Sequence, residues 1–150
     1  MPRPDERQFL NDVLLGNVDA IRFCETLFRV SQVIDDLIDK DRSVSDRTIE
    51  RSYWDAMIEI PSNPFYQRHL QTLVPLMQTA FNDWLDANTL ENADDHGRNI
   101  AFVLRDSVGN IACQVAYLVG GFDHMRSVSP LIRLHIHEDT LSDYKQELDQ

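Results

Sequence analysis

Apolar residues recur along most of this chain at intervals of three and four, the period of a helix with one buried face. The pattern predicts a first helix from about Asp5 to Leu15, stopped at Gly16-Asn17, a C-cap followed by a new N-cap. A second helix runs from about Val18 to Lys40, with Ala20, Phe23, Cys24, Leu27, Val30, Ile34 and Ile38 as its apolar stripe. Ser45 caps a third, with Ile49, Tyr53, Met57 and Ile60 on one face, and "PSNP" then breaks the chain. A fourth starts near Pro64 and buries Phe65, Leu70, Leu73, Met77, Phe81 and Trp84; Pro75 inside it predicts a kink or a break.

A fifth helix is predicted from about Ala93 to Val119, with Ile100, Leu104, Val108, Ile111, Val115 and Leu118 inward, ended by Gly120-Gly121. Ser129-Pro130 reads as an N-cap and first position opening a sixth, along which Leu134, Leu141 and Leu148 recur every seven residues. That short seam docks on the body or on a sister subunit, which leaves a homo-oligomer open. The expectation is a single all-α domain over residues 1–150, a helical bundle of about six helices.

Composition narrows the partners. A formal net charge of −11 argues against nucleic acid, whose phosphates need surplus Lys and Arg. It suits cations or a basic protein partner. Cys24 and Cys113 lie in apolar runs and read as core thiols of a reduced protein. "MPRPDERQ" has no apolar segment of a signal peptide, and the apolar run near "IACQVAYLVGGF" is too short to span a bilayer. These readings predict a cytoplasmic protein with no membrane span.

One stretch departs from ordinary helix composition: "SQVIDDLIDKDR", with four aspartates in seven residues. On a helix Asp35 and Asp39 share a face one turn apart, at the edge of the apolar stripe, and Asp36 stands beside Asp39. Like charges so placed repel, and a hard cation with oxygen ligands reverses that cost. The plain alternative is a solvated helix end on an acidic protein.

"DDLID" resembles the first aspartate-rich motif, DDxxD, of the trans-isoprenyl diphosphate synthases and terpene synthases. That resemblance implies an all-helical fold in which Asp35, Asp36 and Asp39 hold Mg2+ and the metal holds a substrate diphosphate. Lys40, Arg42 and Arg47 would be the nearest cations for the diphosphate. The second metal motif of terpene synthases has its ligands four residues apart. "RDSVGNIACQ" offers Asp106, Asn110 and Gln114 at that spacing, with Arg105 beside them as a further phosphate contact. Gln114 stands where the motif has a carboxylate and Asn110 where it has a hydroxyl, and the chain is far shorter than a complete synthase. Such a strip is also what any partly exposed helix shows.

The pairs Asp36/Asp39 and Asp83/Asp86 are also similar to the acidic pairs of the all-α nucleoside triphosphate pyrophosphatases, although that family prefers Glu. "HIHED" sets His135 and Asp139 one turn apart, as a metal pair or as ordinary surface residues. The chain thus reads as a protein that binds or turns over a diphosphate-containing small molecule with magnesium. The alternative is a non-catalytic acidic interaction protein, an inhibitor or regulator docking on a basic partner surface.

Overall fold

The computed structural model describes residues 3–40 and 42–150, so Asp41 of the acidic stretch lies outside the described residues. The chain is all-α, as the periodicity predicts, with no strand among the described residues. It gathers into two compact units, Met1–Leu70 and Gln71–Gln150. No described helix is long and apolar enough to cross a membrane.

The first unit opens with α1 (Glu6–Val13). Leu15 and Gly16, both at positive φ, turn the chain, and Asn17 caps α2 (Val18–Asp39) by accepting from the Ala20 amide at 3.0 Å. Lys40, in the left-handed region, closes α2 by donating its amide to the Asp36 carbonyl. Ser45 caps α3 (Asp46–Trp54), which runs straight into a π-helical turn, Asp55–Glu59. The short helices α4 (Ile60–Ser62) and α5 (Pro64–Arg68) follow.

Leu10, Leu14, Ala20, Phe23, Cys24, Ile60 and Phe65 form the core of this unit. Phe23 stacks on Tyr66 with ring centroids 5.6 Å apart. Burial, and then the charges of Glu25 and Glu6, push the Cys24 thiol far above its ordinary range, as expected for an inert core thiol.

Asn63 ties this core together. Its Oδ1 accepts from the Tyr66 amide and its Nδ2 donates to the Asp19 carbonyl, both at 2.9 Å. Asn63→Ala loses a helix cap and the bond to the half-buried Asp19 carbonyl, so it should cost about 2 kcal/mol in urea unfolding. A loss within experimental error would show that water replaces both bonds.

The second unit holds α6 (Leu70–Leu90), α7 (Asp95–Arg105), α8 (Val108–Ile136) and α9 (Leu141–Leu148). Several expected boundaries move. The break in the fourth predicted helix falls at His69 (φ −113°, ψ 25°), not at Pro75. Pro75 lies in the second turn of α6, where it removes only one backbone bond. The fifth predicted helix is divided at Asp106-Ser107 into α7 and α8.

α8 itself is interrupted at Gly121 (φ 85°, ψ −175°), a conformation suited to glycine. Helix resumes at once, so Pro130 lies inside it and does not open it. The two halves fold back as a hairpin. Asn110 meets Arg133, and the Ser129 hydroxyl lies 3.3 Å from Cys113 Sγ. Gly109, Ala112 and Ala116 are buried, small side chains that permit the close approach. The Leu134-Leu141-Leu148 seam does not form, because the helix ends at Ile136 and Thr140 caps a new one. Leu134 is 74% exposed.

Gly97 is required where α7 begins. A Cβ there would lie 2.9 Å from the Leu90 carbonyl oxygen, while the Gly97 amide donates to the capping Asp94 Oδ1 at 2.8 Å.

Candidate functional site

The end of α2 carries Asp35, Asp36 and Asp39, all half-buried, with Lys40 immediately after them. Asp36 Oδ1 accepts from Gln32 Nε2 at 3.0 Å, a neutral partner one turn back. Lys40, Arg42 and Arg47 are exposed, and none forms an ion pair with another described residue. The thirteen residues 35–47 thus carry five carboxylates, Asp35, Asp36, Asp39, Asp41 and Asp46, and three cations that pair with no other described residue. The donor set is all hard oxygen, the type that suits Mg2+. Among the described residues no group of three or more His, Cys, Asp or Glu side chains is arranged to hold a metal ion.

Asp106, Asn110 and Arg105 belong to the second unit, where each has a local partner. Asp106 Oδ2 lies 2.8 Å from His137 Nδ1. Burial, and then the charge of Arg133, hold His137 below the usual imidazole range. Asn110 Oδ1 accepts from Arg133. The Asp106-Ser107 break means that Asp106 and Asn110 are not on one regular helical face.

Arg105 forms a bidentate pair with Glu91, at 2.7 and 3.1 Å, and donates to Asn88 Oδ1 at 2.8 Å. The Tyr144 hydroxyl donates to Glu91 at 2.7 Å. Burial first, and then that bond, push the Tyr144 phenol up to about 12. This cluster joins α6, α7 and α9. Asp83 accepts from the Ser107 hydroxyl at 2.7 Å, and Asp86 is exposed.

The first unit also contains a cluster that sequence reasoning missed. Asp55, the first residue of the π-helical turn, is fully buried. Its two carboxylate oxygens accept separately from Arg29 Nε at 2.9 Å and Arg51 Nε at 3.1 Å. Burial alone would raise this carboxyl. The hydrogen bonds from Arg29 and Arg51, with their charges, outweigh burial and hold it below the ordinary range. The hydrogen bond that Arg29 donates to Asp55 in turn raises Arg29, against the cost of burial.

These arginines line a cleft of about 360 Å3, walled by Arg7, Arg22, Glu25, Thr26, Arg29, Arg51 and Glu59. π-turns recur at functional sites because they re-aim side chains within a helix. Two signals were present in the sequence: Arg22, Thr26 and Arg29 at helical spacing, and Arg51/Asp55 four apart.

The chain matches no protein-family model, no curated protein and no solved structure. Its function must therefore be argued from these residues.

Proposed function

We propose that the protein binds a diphosphate-containing small molecule with magnesium at the end of α2. One observation carries the reading: half-buried Asp35, Asp36 and Asp39 stand beside Lys40, Arg42 and Arg47, cations that no described carboxylate neutralises. Mg2+ keeps several waters and is commonly held by one or two carboxylates together with substrate phosphates, so no ready-made protein cage is needed. In this arrangement the aspartates supply the protein oxygens, and Lys40, Arg42 and Arg47 offset the remaining phosphate charge.

The metal should then bind tightly only with diphosphate. Magnesium plus inorganic diphosphate at ~100 times Kd stabilises the folded state by about 2.7 kcal/mol, a rise of roughly 5–10 °C in Tm. Sodium chloride at matched ionic strength should not reproduce the rise. Asp35→Asn with Asp39→Asn should abolish it. Equal effects of magnesium and sodium in the presence of diphosphate, or a full magnesium-diphosphate effect in the double variant, would refute the reading.

A second reading, an acidic interaction protein docking on a basic partner, is favoured by a different observation. Of the described acidic residues only Asp55 is buried, and α3 buries no residue at all. Tyr53, Trp54 and Met57 lie 69%, 51% and 55% exposed. Aromatic residues and Met are enriched in protein interfaces. This reading replaces the first if the diphosphate effect fails.

A further inference from the structure

Arg22, Thr26 and Arg29 fall at i, i+4 and i+7 on α2 and so share one face of the helix. Arg51 of α3 reaches the same cleft. Asp55 fixes two of these guanidiniums and uses only their Nε donors, which leaves the terminal nitrogens of Arg29 and Arg51 without a hydrogen bond among the described residues. Arg22 has no ion pair or hydrogen bond among the described residues, and neither does the hydroxyl of buried Thr26. Arg7 is committed to Glu25 through two bonds, at 2.8 and 3.2 Å. Glu59 accepts from Trp54 Nε1 at 3.1 Å.

Four guanidiniums thus meet three carboxylates around this cleft, counting Asp55 beneath it. The unit around it has the opposite balance, with nine Lys and Arg against thirteen Asp and Glu. Such a local cationic surplus, in an otherwise acidic unit, is the electrostatic condition for holding an anion.

We propose that the cleft of Arg22, Thr26, Arg29 and Arg51 binds the phosphate group of a small phosphate monoester without a metal ion. Three guanidiniums and a hydroxyl give donors from two helices, which suits the several acceptor oxygens of a phosphate better than the two of a carboxylate. The volume falls in the small-molecule range and leaves room for the organic part of an ester. Glu25 and Glu59, with the acidity of the unit, repel a polyanion such as a nucleic-acid backbone. The site is separate from the magnesium reading. Arg29 stands about two turns, roughly 10 Å along the helix axis, from Asp36, and no aspartate of the acidic end takes part.

The test is a 31P NMR titration of the full chain with inorganic phosphate and with methyl phosphate, both in EDTA. Saturable binding is expected for both, with methyl phosphate at least as tight. Arg22→Gln should weaken it tenfold or more, and Thr26→Val severalfold. Neither substitution removes a bond that the fold uses, and circular dichroism should show both variants folded. Asp35→Asn with Asp39→Asn should leave this binding unchanged. Absence of saturable binding in EDTA, or equal affinity in the wild type and Arg22→Gln, would overturn the proposal, and failure of methyl phosphate alone would overturn the ester assignment. Phosphate binding that persists in EDTA while magnesium with inorganic diphosphate gives no stabilisation beyond that of sodium would sustain this site and refute the magnesium reading. The reverse result would do the opposite.

Discussion

Asp55→Ala is expected to destabilise the protein by about 3 kcal/mol. Removing one partner of a buried ion pair typically costs ~3–5 kcal/mol, because the other charge is left uncompensated. Here the low end applies, since the side chains of Arg29 and Arg51 are 40% and 60% exposed and water takes over part of their solvation. The loss should appear as a lower urea midpoint with an unchanged slope.

The effect should depend on pH with a definite sign. The folded-state carboxyl of Asp55 lies below its unfolded value. Its contribution is therefore complete above the unfolded pKa, about 3.9, and is lost as pH falls through the folded value. The wild type should lose its advantage over Asp55→Ala as the solution is acidified below about pH 4. Parallel stability curves for the two proteins across the acid range would contradict this account of the cluster.

Arg105→Leu is expected to cost about 3 kcal/mol, through the second unit. Arg105 and Glu91 are only 14% and 13% exposed, and Glu91 would keep only the Tyr144 hydroxyl as a side-chain donor among the described residues. The decisive comparison is with Arg105→Leu/Glu91→Leu. Replacing both partners of a buried pair is often nearly neutral, whereas removing one is not. The double variant should recover at least ~1 kcal/mol of what the single variant loses. A double variant no more stable than Arg105→Leu would show that the arginine acts by packing its stem rather than by pairing its charge.

What the sequence revealed of the fold follows the range of the interactions involved. Asn17, Ser45 and Asn63-Pro64 are local signals, and each marks a helix start in the structure. The break after Asp106 carries no Gly or Pro. It is stabilised by the Ser107 hydroxyl, which donates towards both the Leu104 carbonyl and Asp83, and only the second partner lies far off in sequence. Pro130 suggested a helix start, yet Gly121 had already made the turn.

Apolar periodicity also overstated burial: Ile38, Tyr53, Met57 and Phe81 keep the helical spacing of core residues and lie more than half exposed. Of the two candidate sites, the acidic end of α2 is a local pattern and was legible as a candidate. The arginine cleft was not, because the Arg29–Asp55 contact spans 26 residues and depends on a π-turn that no residue pattern announces.

The most direct test of the magnesium-diphosphate reading is residue-resolved. Amide chemical shifts of the full chain should be followed as magnesium and inorganic diphosphate are added together. Saturating shifts should concentrate between Asp35 and Arg47, at the end of α2 and the start of α3, and should be absent with magnesium alone at the same concentration. Shifts confined to other residues, or no saturable shift in that stretch, would contradict the assignment of a diphosphate site to Asp35, Asp36 and Asp39.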